Sequence, residues 1–556
     1  MLNTRQLQLK LEQAFASHRQ GQLAQAQALY DEVLAMAPDH VDALHLSGVT
    51  AAQTGNHVKA VEMIGKAIAI DPGNACFHCN LGLVLNGLKE FESAATSFDR
   101  AISIKPDYHL AHYNRGKALL ELDMYNAALA SFDKAIAIVP DDHLAHYNRG
   151  NALKKLNQLE SAVESFDRAI TIKPDYHEAW SNRGNALHEL NNIDAALASY
   201  DKAVTIKPDD HLAQFNRALA LHALTRLDEA LACYENAIAI RQNFPDACWN
   251  KSLALLTAGD FRSGWELYEW RWQVKKLADT RRHITETLWL GKQSIAGKTI
   301  LLHCEQGLGD TIQFCRYIPM VADLGARVIF EVELPLRKLL GGLRGISELF
   351  VTGSSLPESD CHCPLMSLPL AFKTDLDTIP DAGPYLKSDP GKLAYWKERL
   401  GRKTNPRVGL VWNGNVTHTN DKNRSIPLSA LIRHLPEGFS YVSLQKEVRD
   451  IDRQTLESNA HILHFGDELE DFTDTAALCD LMDVVISVDT SVAHLNGALG
   501  NPTWVLVPFS PDWRWMLVRD DSPWYRSIRL FRQQKPNDWS GAFGKLGSAL
   551  LTGYGK

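Results

Sequence analysis

The sequence predicts an α-helical solenoid in the first half of the chain and an α/β region in the second. In the first half, prolines recur every 34 residues, and this period is that of a stacked helix–turn–helix unit. In the second half, short apolar runs alternate with helical patterns, as is typical of folds built on parallel sheets. We therefore expect a helical scaffold joined to compact α/β domains, with the chemistry in the latter.

The repeating unit is defined by several residue types that keep the same period. Proline ends the second helix of each unit because its ring removes a backbone donor and clashes with the preceding turn. Glycines recur where two helices approach each other, and alanines and aromatic residues recur three and four positions apart on one helix face. The prolines are Pro38, Pro72, Pro106, Pro140, Pro174 and Pro208, the glycines Gly48, Gly82, Gly116, Gly150 and Gly184, and the aromatic residues Phe98, Phe132, Phe166, Tyr200 and Tyr234.

This pattern resembles the tetratricopeptide repeat over residues 7–244, in about seven units, and we place a repeat domain at residues 1–244. A degenerate eighth unit is predicted from Pro245 to about Lys276, and we assign residues 245–296 to it and to a connector. Terminal repeats need a cap, which we expect the second domain to supply. Three tryptophans mark this junction: Trp265, Trp270 and Trp272.

A column of asparagines also keeps the 34-residue period, on the first helix of each unit. This helix is expected to line the inside of a superhelix, where amides could bracket the backbone of an extended peptide. The protein O-linked N-acetylglucosamine transferases, which this half resembles, use such a ladder, so the resemblance implies a bound protein acceptor. Alternatively, the amides satisfy local helix contacts. The ladder comprises Asn80, Asn114, Asn148, Asn182, Asn216 and Asn250.

Composition excludes several functional classes. The net charge of −8 argues against nucleic-acid binding. No run of 18 apolar residues exists, so no membrane span is expected. The N-terminal segment is polar, and the nine cysteines form an odd number, so we expect reduced thiols and a cytoplasmic location.

Two cysteine groups could suggest a metal. Cys76 and Cys79 form a CxxC pair, and Cys361, His362 and Cys363 are consecutive. A structural zinc site needs four ligands in tetrahedral range, and the first pair lies where a repeat helix needs small residues. We therefore predict no metal site and no cofactor.

The α/β region begins with a strand–turn–helix–strand pattern. Strands are predicted at Thr299–Cys304 and Arg327–Glu333, with glycines 307 and 309 in the turn between the first strand and a helix beginning near Asp310. Such a turn allows close backbone approach, and the helix N-terminus can bind an anion. We assign residues 297–382 to this half.

A second α/β half is predicted at residues 404–556, after a linker at 383–403. Ligands of doubly wound sheets lie beyond the carboxyl ends of the strands, and polar residues cluster there. The predicted strands are Val408–Trp412, Tyr441–Gln445, His461–Phe465, Val484–Val488 and Thr503–Pro508.

Residues 297–545 resemble the heptosyltransferase-type glycosyltransferases, which have two facing Rossmann-like domains (the GT-B fold); the likeness is strongest over Asp489–Pro502. The first half here is reduced relative to that family. The resemblance implies Asp310 as general base, although the residue could equally cap its helix. His494 could contact a phosphate or sugar, or be a buried structural residue. The candidates implied for donor binding are Gly307, Gly309, Thr311, Gln313, Trp412, Asn413, Lys422, Arg424, Gln445, Lys446, Asp489, Thr490, Ser491 and His494.

Together these resemblances imply a bacterial enzyme that transfers a sugar from a nucleotide-sugar donor to Ser or Thr of a captured protein, with inversion and without a metal. Flagellin is one acceptor class that the related bacterial transferases suggest. Two alternatives remain open: a scaffold with a decayed transferase domain, and a transferase acting on a glycan or lipid. The sequence leaves open the oligomeric state. It also leaves open whether four residues near the C-terminus stack on a ligand or pack internally: Trp513, Arg514, Trp515 and Trp524.

Overall fold

The structure is a computed structural model that describes residues 2–275, 284, 286–381, 383–418 and 420–554. The chain divides into two compact units, with the boundary between Ala220 and Leu221. Throughout these described ranges, each helix is too short or too polar to cross a lipid bilayer.

The first unit consists of helices that alternate in pairs, as the 34-residue period predicts. The last of them, α13, continues across the boundary between the units. The helices are α1 (Leu2–Arg19), α2 (Leu23–Met36), α3 (Val41–Gln53), α4 (His57–Ile70), α5 (Ala75–Gly87), α6 (Phe91–Ile104), α7 (His109–Glu121), α8 (Tyr125–Ile138), α9 (His143–Lys155), α10 (Leu159–Ile172), α11 (His177–Glu189), α12 (Ile193–Ile206) and α13 (His211–Ala223).

The repeated glycines lie where the two helices of a pair touch. A Cβ atom built on Gly150 would lie 2.6 Å from Cε1 of Phe166, a fully buried ring. The glycines at 82, 116 and 184 meet the aromatic ring sixteen residues later in the same way, at 2.5–2.7 Å. The predicted close approach is therefore confirmed.

The repeated prolines have a second role through their carbonyl oxygens. The ring nitrogen Nε2 of His112 donates to the carbonyl of Pro106 at 2.9 Å, and His146 does the same to Pro140. In the next unit Trp180 supplies the donor through its indole N–H. These hydrogen bonds connect the end of one repeat to the first helix of the next repeat.

The second unit begins with three further helices, α14 (Leu227–Ile240), α15 (Pro245–Ala258) and α16 (Phe261–Tyr268), and a 3₁₀ turn at Glu269–Gln273. Trp265 is buried in the core of this unit, 5.2 Å from the ring of Trp513. The degenerate repeat therefore packs on the α/β region, as the tryptophans indicated. The predicted end of that repeat at Lys276 lies outside the described residues.

The first sheet of the α/β region has five parallel strands in the order β1-β5-β2-β3-β4. The predicted strands are present as β2 and β3, whereas β1, β4 and β5 were not predicted. The strands are β1 (Thr287–Leu288), β2 (Thr299–His303), β3 (Arg327–Val332), β4 (Ile346–Val351) and β5 (Cys361–Pro364), and the longer helices are α17 (Leu308–Phe314) and α18 (Ile318–Asp323).

The second sheet has six parallel strands in the order β11-β10-β9-β6-β7-β8. All five predicted strands are present, and one more, β11, follows them. The strands are β6 (Arg407–Val411), β7 (Ser440–Ser443), β8 (Ile462–His464), β9 (Val484–Val488), β10 (Thr503–Val507) and β11 (Ile528–Arg532); the longer helices are α20 (Asp450–Glu457), α21 (Phe472–Asp480), α22 (Ser491–Ala498) and α23 (Ser540–Tyr554).

The segment between the two sheets is structured. It contains α19 (Pro390–Arg399), whose Trp396 is fully buried and donates to Asp474 at 2.9 Å. The backbone N–H of Tyr385 donates to the carbonyl of Ala498. The segment predicted as a linker is therefore packed against the second sheet's helices.

The cysteine groups lie in regular secondary structure. Cys76 and Cys79 are near the start of α5, where only Cys79 is buried, and Cys361 and Cys363 are buried in β5. Across the part of the chain that the structure describes, no group of three His, Cys, Asp or Glu side chains is arranged so that it could hold a metal ion.

Candidate functional site

Each sheet has one place where the chain reverses its direction of progress across the sheet. In the first sheet this switch point lies between β2 and β5, and in the second it lies between β6 and β9. Loops that leave such neighbouring strands in opposite directions create a crevice, where α/β sheets bind ligands. The candidate site is therefore sought beyond the carboxyl ends of β2 and β9.

The turn after β2 carries Asp310. One of its carboxylate oxygens accepts the backbone N–H of Gly307 at 2.8 Å, so the residue caps α17. The other oxygen forms an ion pair with Nη2 of Arg514. A carboxylate has about four lone-pair directions, so capping leaves room for a further proton acceptor role. The side chain is 21% exposed.

The turn after β9 consists of Asp489 and Thr490, and α22 begins at Ser491. The Thr490 hydroxyl lies 3.1 Å from the hydroxyl of Ser487. No side chain caps the N-terminus of α22, so the first N–H groups of this helix have no side-chain acceptor and are available to an anion.

The two turns face each other within the second unit. A Cβ atom built on Gly309 would lie 2.9 Å from the ring of His494 and 3.4 Å from Cα of Ser491. Any larger residue at 309 would separate α17 from α22. This glycine therefore brings the two switch points together.

Arg514 bridges the two halves at this place. Its Nε donates to the amide oxygen of Gln313 at 2.7 Å, and its Nη1 donates to Asp512 at 2.9 Å, in addition to the Asp310 pair. Its guanidinium carbon also lies over the ring of Trp513, 4.2 Å from the ring centroid. The sequence did not predict this role, although Arg514 lies in the segment that follows β10, the neighbour of β9.

A second arginine reaches the same turn. Nη1 of Arg424 donates to the carbonyl oxygen of Asp489 at 2.8 Å, and the arginine packs against Gly414, where a Cβ would come within 2.6 Å of it. Lys422, the other predicted cation, is exposed. His418 also belongs to this cluster. Burial and the charge of Arg424 lower the pKa of His418 below its ordinary value, against the smaller opposing effect of Asp512 and Asp310.

The environment of Asp489 is unusual for a carboxylate. Burial and the neighbouring charge of Asp512 raise the pKa of Asp489 to about 6, against the opposing effect of Arg424 and Arg514. The side chain therefore takes up a proton close to neutral pH, and its protonation responds to any charge that enters the cleft.

His494 lies below the turns, buried, with Nδ1 3.1 Å from the hydroxyl of Tyr525 and its ring stacked on Trp515. Burial, together with Arg514, lowers the pKa of His494 well below its ordinary value. The imidazole is therefore neutral near pH 7 and acts as a packed support for both turns.

Three predicted donor residues do not reach the cleft surface. Trp412 is fully buried and donates to Asp452 at 3.0 Å. Asn413 and Gln445, both buried, bond to each other at 2.9 Å, and Gln445 also accepts the backbone N–H of Trp412. These side chains brace the loops after β6 and β7, because their polar groups are used internally.

Two further predicted residues, Thr311 and Gln313, also use their side chains internally, and a third, Lys446, bonds away from the two turns. Thr311 is buried and donates to Glu333 at 3.0 Å. Gln313 is fully buried and positions Arg514. Lys446 is exposed and donates to the carbonyl of Glu470; nothing brings it to the Asp489 turn.

The C-terminal tryptophans pack internally. Trp524 stacks on Phe261 with ring centroids 5.8 Å apart, and Trp513 packs on Trp265. Trp515 has no exposed surface and lies against His494. Of the two alternatives that the sequence left open, packing describes these rings.

The asparagine ladder uses its amide donors within the protein. Nδ2 of Asn148 donates to the hydroxyl of Tyr113 at 3.2 Å, and Asn182 bonds Tyr147 in the same way. Asn216 bonds Asn185 of the preceding repeat. The local alternative therefore explains the amide N–H groups. The remaining ladder donors bond within or between repeats at Asn80, Asn114 and Asn250.

Comparisons with known proteins agree with the first half of this description. Tetratricopeptide repeat models match residues 18–75, 77–108, 118–157, 150–191, 177–210 and 212–244. The first half of the chain carries tetratricopeptide repeats.

Among curated proteins, the chain is similar to Protein FlbA of Caulobacter vibrioides, with 26% identity over 323 residues, 53% of this chain and 53% of that protein. The chain thus spans about half the length of this relative.

Three solved structures are also similar to the chain. YrrB, described as a TPR protein with an unusual peptide-binding site, is 25% identical and covers 35% of this chain and 100% of its own, with a TM-score of 0.32. MamA is 24% identical over 29% of this chain and 94% of its own, with a TM-score of 0.28. A tetratricopeptide repeat protein of Parabacteroides merdae is 17% identical over 45% of this chain and 99% of its own, with a TM-score of 0.36.

Proposed function

We propose that the second unit transfers a sugar from a nucleotide-sugar donor, and that the tetratricopeptide repeats hold the protein whose Ser or Thr hydroxyl receives it. The observation that carries this proposal is the meeting of two turns, at Asp310 and at Asp489–Ser491, at the switch points of two parallel sheets. A donor and an acceptor group can be held on opposite sides of such a crevice.

The topology supports two Rossmann-like halves of GT-B type. Starting from β8, the second sheet runs β8-β7-β6-β9-β10-β11, and starting from β4, the first runs β4-β3-β2-β5-β1. The former is the strand order of doubly wound nucleotide-binding sheets. The latter keeps the first four positions of that order, and its outer strand, β1, comes from the chain before β2.

The donor diphosphate is assigned to the N-terminus of α22. The first N–H groups there, which no side chain caps, and the hydroxyls of Thr490 and Ser491 can donate to phosphate oxygens, and the helix dipole favours the negative charge. Arg424 adds a positive charge next to this turn. Such oriented groups stabilise the charge that develops on a leaving nucleotide.

Asp310 is assigned as the general base. The acceptor hydroxyl oxygen forms a bond to the anomeric carbon while the bond from that carbon to the diphosphate breaks. Asp310 takes the hydroxyl proton, and the nucleoside diphosphate leaves with the bonding electrons. Attack from the side opposite the leaving group inverts the anomeric centre.

The repeats are assigned the acceptor. The ladder asparagines spend their amide N–H groups on neighbouring residues, and their carbonyl oxygens can accept N–H groups of an extended peptide. The acceptor would thus be recognised through its backbone, with side-chain preferences set elsewhere.

Nucleoside diphosphate release from a panel of UDP-, GDP-, ADP- and dTDP-sugars tests the enzymatic part. We expect wild-type protein to release product from one class, and Asp310→Asn to lose at least about 100-fold in rate, since general bases contribute 10²–10⁴-fold. Asp323→Asn, an exposed carboxylate paired with Arg344, is the control and should keep full activity. Absence of release from every sugar, with no nucleotide binding, would favour a scaffold.

The repeat part is tested by changing Asn114, Asn148 and Asn182 together to alanine. We expect transfer to the acceptor protein to fall while hydrolysis of the donor by water is unchanged, because the two activities share only the cleft. Circular dichroism verifies that the helices persist. Unchanged transfer would argue for recruitment by another surface or for a glycan or lipid acceptor.

A further inference from the structure

Arg514 is held in a way that ordinary packing does not require. All three nitrogens of its guanidinium have acceptors, and these come from three places: Gln313, Asp512 and Asp310. Its side chain is only 8% exposed, whereas those of Asp310 and Asp512 are 21% and 32% exposed. The cation therefore lies at the floor of the cleft with its carboxylate partners nearer to solvent.

The backbone that presents Arg514 is strained. Met516, which ends the 3₁₀ turn Trp513–Trp515, has φ 52° and ψ −169°, a region that side chains other than glycine rarely occupy. Arg532 holds this conformation by donating to the carbonyl oxygens of Met516, at 2.8 Å, and of Trp515. Strain retained in this way indicates that the position of the turn matters for function.

The charges in the cleft leave a bound diphosphate short of cations. The carboxylates of three aspartates lie near the guanidinium groups of Arg424 and Arg514: Asp310, Asp489 and Asp512. Nη1 of Arg424 already donates to the backbone carbonyl of Asp489. A diphosphate entering this cleft must therefore compete with Asp310 and Asp512 for Arg514. A general base at Asp310 has the converse requirement, since its oxygen must leave Arg514 to meet a hydroxyl.

We propose that Arg514 binds the diphosphate of the donor, and that its ion pair with Asp310 is exchanged for one with the diphosphate when the donor binds. This inference rests on the proposed function. Diphosphate oxygens accept two parallel N–H groups from a guanidinium, which gives them the geometry to displace a carboxylate. The exchange releases an oxygen of Asp310 for the acceptor hydroxyl only after the donor is in place.

An exchange of partners at Arg514 predicts a result that Asp310 acting only as a general base, or only as a helix cap, does not predict. If Asp310 competes with the diphosphate for Arg514, removing the charge of Asp310 must strengthen nucleotide binding. If Arg514 is the group competed for, the same change must have no effect once Arg514 is absent.

Isothermal titration calorimetry with UDP, GDP, ADP and dTDP on the full chain tests this. We expect Asp310→Asn to tighten the best nucleotide about fivefold or more and Arg514→Met to weaken it at least tenfold. In the Arg514→Met background, Asp310→Asn should change affinity less than twofold. Arg526→Met, which removes an exposed arginine of the same C-terminal segment, should bind as wild type.

Arg514→Lys guards against loss of the fold, because it keeps the charge but not the paired geometry; we expect an affinity between those of wild type and Arg514→Met. Unchanged or weaker binding by Asp310→Asn, or additive effects of the two changes, would overturn the exchange while leaving the transferase proposal standing. Failure of the wild-type protein to bind any of the four nucleotides would overturn the transferase proposal itself.

Discussion

Replacing Gly150 by alanine tests the packing rule on which the repeats depend. Gly150 lies in α9, and a Cβ there would meet Cε1, Cδ1 and Cζ of Phe166 at 2.6, 2.8 and 2.9 Å. Ordinary carbon–carbon contact is about 3.5–4.0 Å. The new methyl group therefore overlaps a fully buried ring by roughly 1 Å.

The magnitude follows from two opposing terms. Alanine gains about 1 kcal/mol over glycine in a helix interior. Overpacking of a close-packed core costs about 1–3 kcal/mol, and an overlap this large against an aromatic ring belongs at the upper end. The expected net effect is a destabilisation of about 2 kcal/mol, close to a thirtyfold change in the local opening equilibrium.

Hydrogen exchange with mass spectrometry on the full chain measures this change in local stability. We expect peptides from α9 and α10 to lose about thirtyfold in protection in Gly150→Ala. Gly65, in the interior of α4, has no atom within 4 Å of a built Cβ, so Gly65→Ala is the matched control. It should gain about 0.5–1 kcal/mol. Equal stabilisation by both changes would mean that the Phe166 ring does not exclude a methyl group at position 150.

Two further changes test other parts of the description. Thr225 has φ 59°, and the equivalent turn positions of other repeats, Gly21, Gly55 and Gly259, also have positive φ. A β-branched residue is strained in this backbone conformation. Thr225→Asn should therefore stabilise α14 by about 1 kcal/mol, measured by hydrogen exchange. Asp489→Asn concerns pH. The pKa of Asp489 is raised from 3.8 to about 6 by burial, so the folded state holds its proton more tightly, and stability falls as pH rises from about 4 to 6. The variant should lose this fall and be more stable than wild type at pH 7 by up to about 3 kcal/mol in urea unfolding.

Each of these two predictions has an outcome that would contradict it. Unchanged or lower protection of α14 in Thr225→Asn would mean that the turn does not strain the threonine. Parallel stability–pH curves for wild type and Asp489→Asn, obtained by tryptophan fluorescence across pH 4 to 8, would mean that the carboxyl is not raised by its surroundings.

The elements that the sequence predicted are those whose signal is local. The repeat period marks the glycines at 82, 116, 150 and 184, which meet aromatic rings, because residues sixteen apart in a helical hairpin touch whatever the rest of the chain does. Val484–Val488 was predicted with its observed bounds because a parallel strand buried on both faces reads as a continuous apolar run. Such features need no knowledge of distant residues.

The strands that were not predicted depend on distant partners. β5, Cys361–Pro364, contains a histidine and a proline and is only four residues long, yet it lies between β1 and β2. Its consecutive cysteine and histidine residues suggested metal ligands instead of a strand. Its place in the sheet depends on the neighbouring strands, which its own sequence does not reveal. β4 is half-exposed at the sheet edge, which removes the apolar run that marks a buried strand.

The sequence predicted the turns of the candidate site but not the ion pair between Arg514 and Asp310. Asp310 and Asp489 follow strands, so the topology of the sheets located them. Arg514 pairs with Asp310 across 204 residues, and no spacing rule reveals such a pair. Trp412 also follows a strand, but its side chain turns inward to Asp452, a choice that depends on where α20 packs.

Intact-mass spectrometry of the acceptor shows whether the chain transfers a sugar to a protein. Proteins that co-purify with the wild-type chain, and with Asp310→Asn as the matched control, are compared after expression in the same cells. We expect a captured protein to gain the mass of one or more sugar residues on Ser or Thr with the wild-type chain, and not with Asp310→Asn. Captured proteins of identical, unmodified mass in both, together with no nucleoside diphosphate release, would contradict it.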